Sequence, residues 1–195
     1  MMRRGLALFV MGVRETASTG HGGGTGSLAG IPARVARAWR DELLSGYRQD
    51  PADLLAPVAA RAGSGLVAAR GITFSSICRH HLMPFQGVCH LAYLPDGRIA
   101  GLSRLGRLVD CLSRRLQLQE TLTRQIADAI QEHLGPTGAA CVMEATHTCM
   151  TARGSRKAGT RIVTAAFTGA FRGRAESRRV VMALLGAPVG ASKAR

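Results

Sequence analysis

The chain has 195 residues, 46% hydrophobic and 19% charged, with a formal net charge of +14 from 26 Lys plus Arg against 12 Asp plus Glu. This length and apolar content support a buried core and exclude a disordered chain, and no apolar run approaches the roughly 20 residues of a membrane span. The positive excess favours polyanions or phosphorylated small molecules, yet the arginines are dispersed and aromatics make up only 4%, too few for a base-stacking platform.

Residues 1–30 read as a flexible segment. The stretch 20–27 is glycine-rich and lacks the Gly-Lys-Ser/Thr ending of a phosphate cradle. Residues 6–13 are apolar behind Arg3 and Arg4, but the stretch is brief, contains Gly12 and has no small-residue cleavage site, so it reads as non-targeting. From Pro32, Val35, Trp39 and Leu43 recur every fourth residue as the stripe of a helix, with Gly46 placed to stop it. Arg34, Arg37 and Arg40 lie off the stripe, either as a solvated face or as an arm carrying positive charge to a binding site. Residues 50–62 resemble a second short helix, broken by Gly63-Ser64-Gly65. Residues 66–77 have strand character, 87–94 form a second strand, Pro95-Asp96-Gly97 makes a turn, and 98–102 return as the partner strand.

Ser103 is a favourable N-cap for a helix striped by Leu105, Leu108, Val109, Leu112 and Leu116. A second helix, striped by Leu118, Leu122, Ile126, Ala129, Ile130 and Leu134, closes at Gly135-Pro136. Residues 140–150 alternate as a strand, in which His147 and Cys149 share a parity and so one face. Residues 161–171 read as the last paired strand, and beyond Gly173 lies a basic tail, 174–195, with an apolar patch at 180–185. The order helix, strand, strand, helix, helix, strand, strand predicts an α+β fold of antiparallel hairpins.

The chemistry concentrates between Ile77 and Gly87. Cys78-x-x-His81 lets one loop offer a thiolate and an imidazole to one metal ion. His80 would face the opposite side in an extended chain, toward a substrate. A third ligand must come from elsewhere, and His147-Thr148-Cys149 is the obvious supplier. Five scattered cysteines argue against a secreted disulfide scaffold and for a reducing, cytoplasmic setting, with Cys89, Cys111 and Cys141 as buried apolar filler. Nothing near His90 or His133 recommends either for function.

Four motifs occur in order: Cys78-x-His80-His81-Leu82-x-Pro84-Phe85, Gly101-Leu102-Ser103-Arg104, Gln117-x-Gln119-Glu120-x-Leu122-Thr123 and His147-x-Cys149-Met150-x-x-Arg153-Gly154. Together they resemble the GTP cyclohydrolase I family over about 32–171, extending toward 185. The resemblance implies the tunnelling fold, an antiparallel sheet with two helices on one face and an N-terminal helical extension. Sheets of several subunits then join into an oligomeric β-barrel, as pentameric rings that pair into decamers with active sites at subunit interfaces. It divides the chain into a flexible Gly-rich segment (1–30), an N-terminal helical region (31–65), a tunnelling-fold catalytic domain (66–185) and a basic C-terminal tail (186–195).

The resemblance further implies zinc (Zn2+) held by Cys78, His81 and Cys149, with the fourth position left for water, as in catalytic sites. The substrate it implies is GTP, hydrolysed at C8 of guanine with loss of formate and rearrangement to 7,8-dihydroneopterin triphosphate. His147 would protonate N7 and His80 would handle a second proton transfer, tasks suited to an imidazole. Glu120 would accept from guanine N1–H and the exocyclic amine, with Gln119 and Ser103 at the base or sugar. Arg104, Arg107 and Arg153 would hold the triphosphate, joined by Arg34 and Arg37 from a neighbouring subunit. Gln119 and Glu120 at a helix start also fit plain capping, and Arg107 also fits surface charge.

The chain departs from the family at three places. Arg79 stands where the family has Glu, and a cation there disfavours a protonated His80. It motivates a second reading, a paralogue with altered or lost activity that still binds a purine nucleotide. Ile31 replaces the Thr before the helix-opening proline and cannot N-cap, a cost of about 1 kcal/mol. Glycine-rich sequence replaces an additional N-terminal helical segment that bears on ring pairing. Arg104 keeps the charge of the family's Lys. A basic zinc-containing nucleic-acid-binding protein is the reading from another class, opposed by the dispersed arginines and the Gln119-Glu120 pair.

Overall fold

The computed structural model describes residues 30–60, 65–154, 156–173 and 175–186, and the chain divides into two units, one ending at Ser45 and one beginning at Gly46. The expected flexible segment (1–30) and the last residues of the basic tail (186–195) lie almost wholly outside the described residues. In the first unit, α1 (Ile31–Ala38) starts at Gly30, which offers no side-chain cap, and carries Pro32 in its first turn. Proline is tolerated there because first-turn N–H groups have no helical acceptor. A π-helical turn, Trp39–Leu43, continues the helix and shifts its period. Val35, Trp39 and Leu43 are consequently only half-buried, and Ala36 is the buried residue.

The second unit runs α2 (Pro51–Leu54), β1 (Val58–Ala59), β2 (Val67–Cys78), β3 (Pro84–Leu94), β4 (Arg98–Ile99), α3 (Leu102–Ser113), β5 (Leu116–Gln117), α4 (Gln119–Leu134), β6 (Gly138–His147), α5 (Thr148–Thr151), β7 (Ile162–Phe167), α6 (Ala170–Gly173) and α7 (Ala175–Leu185). Five strands form one sheet in the order β5-β2-β3-β6-β7, antiparallel except for the short parallel pairing of β5 with the end of β2. The architecture is α+β, as the order of elements predicts.

Alternation assigns the two faces. Phe74, Phe85, Cys89, Leu91, Tyr93 and Met143 point from β2, β3 and β6 into a core closed by Leu105, Leu108, Val109 and Leu112 of α3 and Leu122, Ile126, Ile130 and Leu134 of α4. Both long helices thus cover one face, and α4 ends as predicted at Gly135, whose left-handed φ of 60° favours glycine. The opposite face carries a smaller cluster of Ala92, Ala140 and Val142 packed by Phe171 and Val181. A β-bulge at Gly71, φ 72°, re-registers β2 against β3 between Ala69 and Ile72.

Several sequence expectations give way to longer-range contacts. The helix expected over 50–62 is one turn. Asp50 caps the N–H of Ala52 at 2.9 Å, but Pro57 drives Ala56 out of helical backbone, and Val58–Ala59 pair with β4 instead. Arg98–Ile99 therefore pair with β1 rather than returning along β3, while the Tyr93 hydroxyl accepts from the Ala100 N–H at 3.1 Å. α3 starts at Leu102 from Gly101, so Ser103 lies inside the first turn and does not cap. The strand expected over 140–150 ends at His147, because its partner β3 begins at Pro84 and Phe85↔His147 is the last pair. The last strand ends at Phe167, Phe171 lies in α6, and the apolar patch at 180–185 belongs to α7. Gly46, expected to stop the first helix, instead occupies a tight turn (Ser45–Arg48), where a Cβ would collide with the Cys111 carbonyl oxygen.

Candidate active site

β2 delivers Cys78, and the chain then reverses within a tight loop to begin β3 at Pro84. The loop is pinned on Cys78: its N–H donates to the Met83 carbonyl at 2.9 Å, and its carbonyl accepts from Leu82 at 2.8 Å and His81 at 3.3 Å. Leu82 takes a left-handed φ of 53°, a local strain held by these bonds. His80 and His81 therefore sit in a turn rather than a strand, their rings 6.1 Å apart and nearly perpendicular at 87°.

Cys149 reaches the same loop by a different route from the expected one. It does not share a strand face with His147. It rides on α5, the helical turn that replaces the end of the strand, and the Thr148 hydroxyl ties that turn to the Pro84 carbonyl at 2.6 Å. The ligand atoms of Cys78, His81 and Cys149 all lie within 4.8 Å of one another, and the Cys78 sulfur is 3.8 Å from His81 Nδ1. Two thiols and an imidazole form a donor set that fits a borderline-soft divalent ion such as zinc. Burial, then the adjacent Cys78 sulfur, push the Cys149 thiol up, while Arg153 acts weakly the other way. A divalent cation reverses that balance by compensating two thiolates at once.

His147 belongs to a separate cluster. Its ring stacks on Phe85, centroids 4.5 Å apart and planes within 3°, and its Nε2 lies 2.8 Å from Gln119 Oε1. Gln119 is 2% exposed, and its amide nitrogen meets the carbonyls of Ile162 and Met143 and the Thr164 hydroxyl. Burial lowers the His147 imidazole below its ordinary value, opposed by the carboxylate of Glu120. Glu120 is exposed beside Gln119 in the first turn of α4, whose N-cap is Leu118 without a side-chain bond. Neither Gln119 nor Glu120 is the N-cap residue of that helix.

Ser103, Arg104 and Arg107 lie on the first two turns of α3. Ser103 and Arg107 are exposed, and Arg104 donates to the Leu54 carbonyl at 3.3 Å. Arg153 follows α5 and is exposed. Arg34 and Arg37 are exposed on α1 in the first unit. Arg79 is exposed, with its backbone N–H donating to Gln117 O at 3.0 Å. Phe85, Thr123 and Thr164, which frame His147 and Gln119, escape sequence reasoning as site residues. Phe85 and Thr123 do stand in the four motifs, whereas Thr164 lies outside them.

The family model for GTP cyclohydrolase I matches residues 17–186. The chain belongs to the GTP cyclohydrolase I family. GTP cyclohydrolase 1 of Listeria welshimeri is 46% identical over 159 residues, 81% of this chain and 84% of the relative. GTP cyclohydrolase 1 of Thermobifida fusca is 48% identical over 160 residues, 81% of this chain and 77% of the relative. GTP cyclohydrolase 1 of Rhodopirellula baltica is 46% identical over 154 residues, 79% of this chain and 67% of the relative. The solved apo structure of an archaeosine synthase QueF-Like protein has a TM-score of 0.45 at 16% identity, over 55% of this chain and 96% of that one. The motif-based resemblance to the GTP cyclohydrolase I family is thus borne out. Residues from its first and last motifs form a cluster that could hold a metal ion, and residues from its third and last meet at Gln119 and His147.

Proposed function

We propose that this protein is a zinc-dependent GTP cyclohydrolase I, opening guanine at C8, releasing that carbon as formate and yielding 7,8-dihydroneopterin triphosphate for pterin or folate formation in the cytoplasm. The observation that carries the reading is the meeting of Cys78, His81 and Cys149 within 4.8 Å, from motifs some 70 residues apart, with His147 at the start of the same helical turn. When bound there, zinc would supply a Lewis acid that activates water near neutral pH. The chain's own residues do the rest. His147, its cationic form disfavoured by burial, is suited to pass a proton to N7 rather than to stay charged. His80, exposed in the metal loop, takes the second proton transfer.

Glu120 presents a carboxylate to the guanine N1–H and exocyclic amine, and Ser103 lies on α3 for the base or sugar. Arg104, Arg107 and Arg153 bind the triphosphate through forked guanidinium groups, and Arg34 and Arg37 join them from a neighbouring copy in a homo-oligomer. Incubation with GTP, following the product's ultraviolet spectrum and formate together with zinc content, tests the reading. Stoichiometric formate and a pterin chromophore are expected; neither product from a zinc-loaded protein would overturn it.

Arg79 favours a second reading. An exposed cation stands directly before His80, and in this reading ring opening stops before rearrangement. Formate without a pterin product, corrected by Arg79→Glu, would establish that reading over the first.

A further inference from the structure

The hydrogen atoms around Gln119 can be placed without assuming anything about His147. The Gln119 amide nitrogen lies 2.9 Å from the Ile162 carbonyl oxygen and 3.3 Å from that of Met143. Carbonyl oxygens only accept, so the amide must turn its NH2 toward them. Thr123 donates its one hydroxyl hydrogen to the Gln119 backbone oxygen at 2.7 Å, so the 2.6 Å contact between Thr123 and Thr164 is donated by Thr164. Thr164 Oγ1 is then an acceptor for Gln119 at 3.1 Å, which agrees with the same amide orientation. Gln119 Oε1 is left facing His147 Nε2 at 2.8 Å, and an amide oxygen can only accept. The hydrogen of that bond therefore sits on Nε2. The parallel stack on Phe85 holds the ring plane in which the bond is made.

We propose that Gln119 is a positioning residue for His147, fixing the hydrogen of their bond on Nε2 so that Nδ1 is the ring nitrogen that takes a proton from solvent and hands it to N7 of the substrate. The kinetic part rests on the proposed GTP reaction; the tautomer rests on the bonding pattern alone. It also removes Gln119 from direct contact with base or sugar, because the two amide hydrogens and the amide oxygen already have protein partners inside the core.

The test uses the full-length zinc-loaded protein made with nitrogen-15 histidine, the His147 signal being assigned by its loss in His147→Gln. A pyridine-type Nδ1 and a pyrrole-type Nε2 are expected; the reverse pattern overturns the tautomer. Gln119→Leu is expected to keep its zinc, mix the tautomers and lower kcat by up to the roughly 10²–10⁴-fold that a positioned proton donor contributes, with KM for GTP changed less than about twofold. A raised KM at unchanged kcat would place Gln119 on the substrate and overturn the positioning role. Thr164→Val leaves both carbonyls to orient the amide and is expected to keep the wild-type tautomer. If Gln119→Leu does not fold, the wild-type spectrum still decides the tautomer. Wild-type protein inactive on GTP would sink the reaction while the spectrum judged the tautomer separately.

Discussion

Strand β6 and the turn α5 meet at His147 and Thr148, and each carries its own polar cluster. On the β6 side, His147, Gln119, Thr123 and Thr164 are joined by N–H and O–H bonds of 2.6–3.1 Å, and among the described residues no buried side-chain nitrogen or oxygen lacks a partner. On the α5 side, Cys149 meets Cys78 and His81 through soft sulfur contacts, such as the 3.8 Å approach of Cys78 to His81. Directional bonds between neutral groups set a geometry unaided. Two thiols and an imidazole gain most of their cohesion from a cation that all three can share. The first cluster is self-sufficient, whereas the second is a donor set that a cation would complete.

The strongest way to separate them is to cut one ligand. Cys149→Ala is expected to lose bound zinc and turnover together, whereas His147→Ala should keep the metal by elemental analysis and lose turnover by roughly 10²–10⁴-fold. Metal loss in His147→Ala would show that the clusters are not separable. Phe85→Ala should come next: Phe85 is fully buried, packs edge-on to Phe74 at 5.9 Å and stacks on His147, so about 3–5 kcal/mol of stability should disappear in urea unfolding. Smaller is Thr164→Val, expected to cost about 1–2 kcal/mol while leaving zinc content unchanged.

The smallest effect lies away from both clusters. His90 accepts the Gly71 N–H at 3.3 Å through Nδ1, and burial, then Arg70, lower its imidazole while Glu144 opposes them. A lowered native value means that the unfolded chain binds the proton more readily. The contribution is therefore full above the ordinary value of 6.5 and lost as pH falls through it toward the lower native value. His90→Gln should flatten the thermal-midpoint profile between roughly pH 5 and 7; an unchanged profile would refute the assignment.

The convergence of Cys78, His81 and Cys149 is legible because Cys78 and His81 share one loop and the motif around Cys149 is distinctive. Cys149 does not share the β6 face with His147 as alternation predicts: it arrives on a helical turn, since β6 runs out of partner at Pro84, and alternation carries no information about where a neighbouring strand begins. Gln119 could be read as cap, base contact or internal strut, because its role depends on the carbonyls of Met143 and Ile162, 24 and 43 residues away. Likewise Arg98–Ile99 follow a clear turn signal, yet pair with Val58–Ala59.

By itself the sequence determined the two long helices, the four longer strand segments, the α+β class and the family, because periodicity and motif spacing are properties of neighbouring residues. The tertiary structure alone decided where β6 ends, which strand Arg98–Ile99 joins and which way the Gln119 amide faces. Those choices are made by donors and acceptors that meet only after distant segments pack, so no local pattern encodes them.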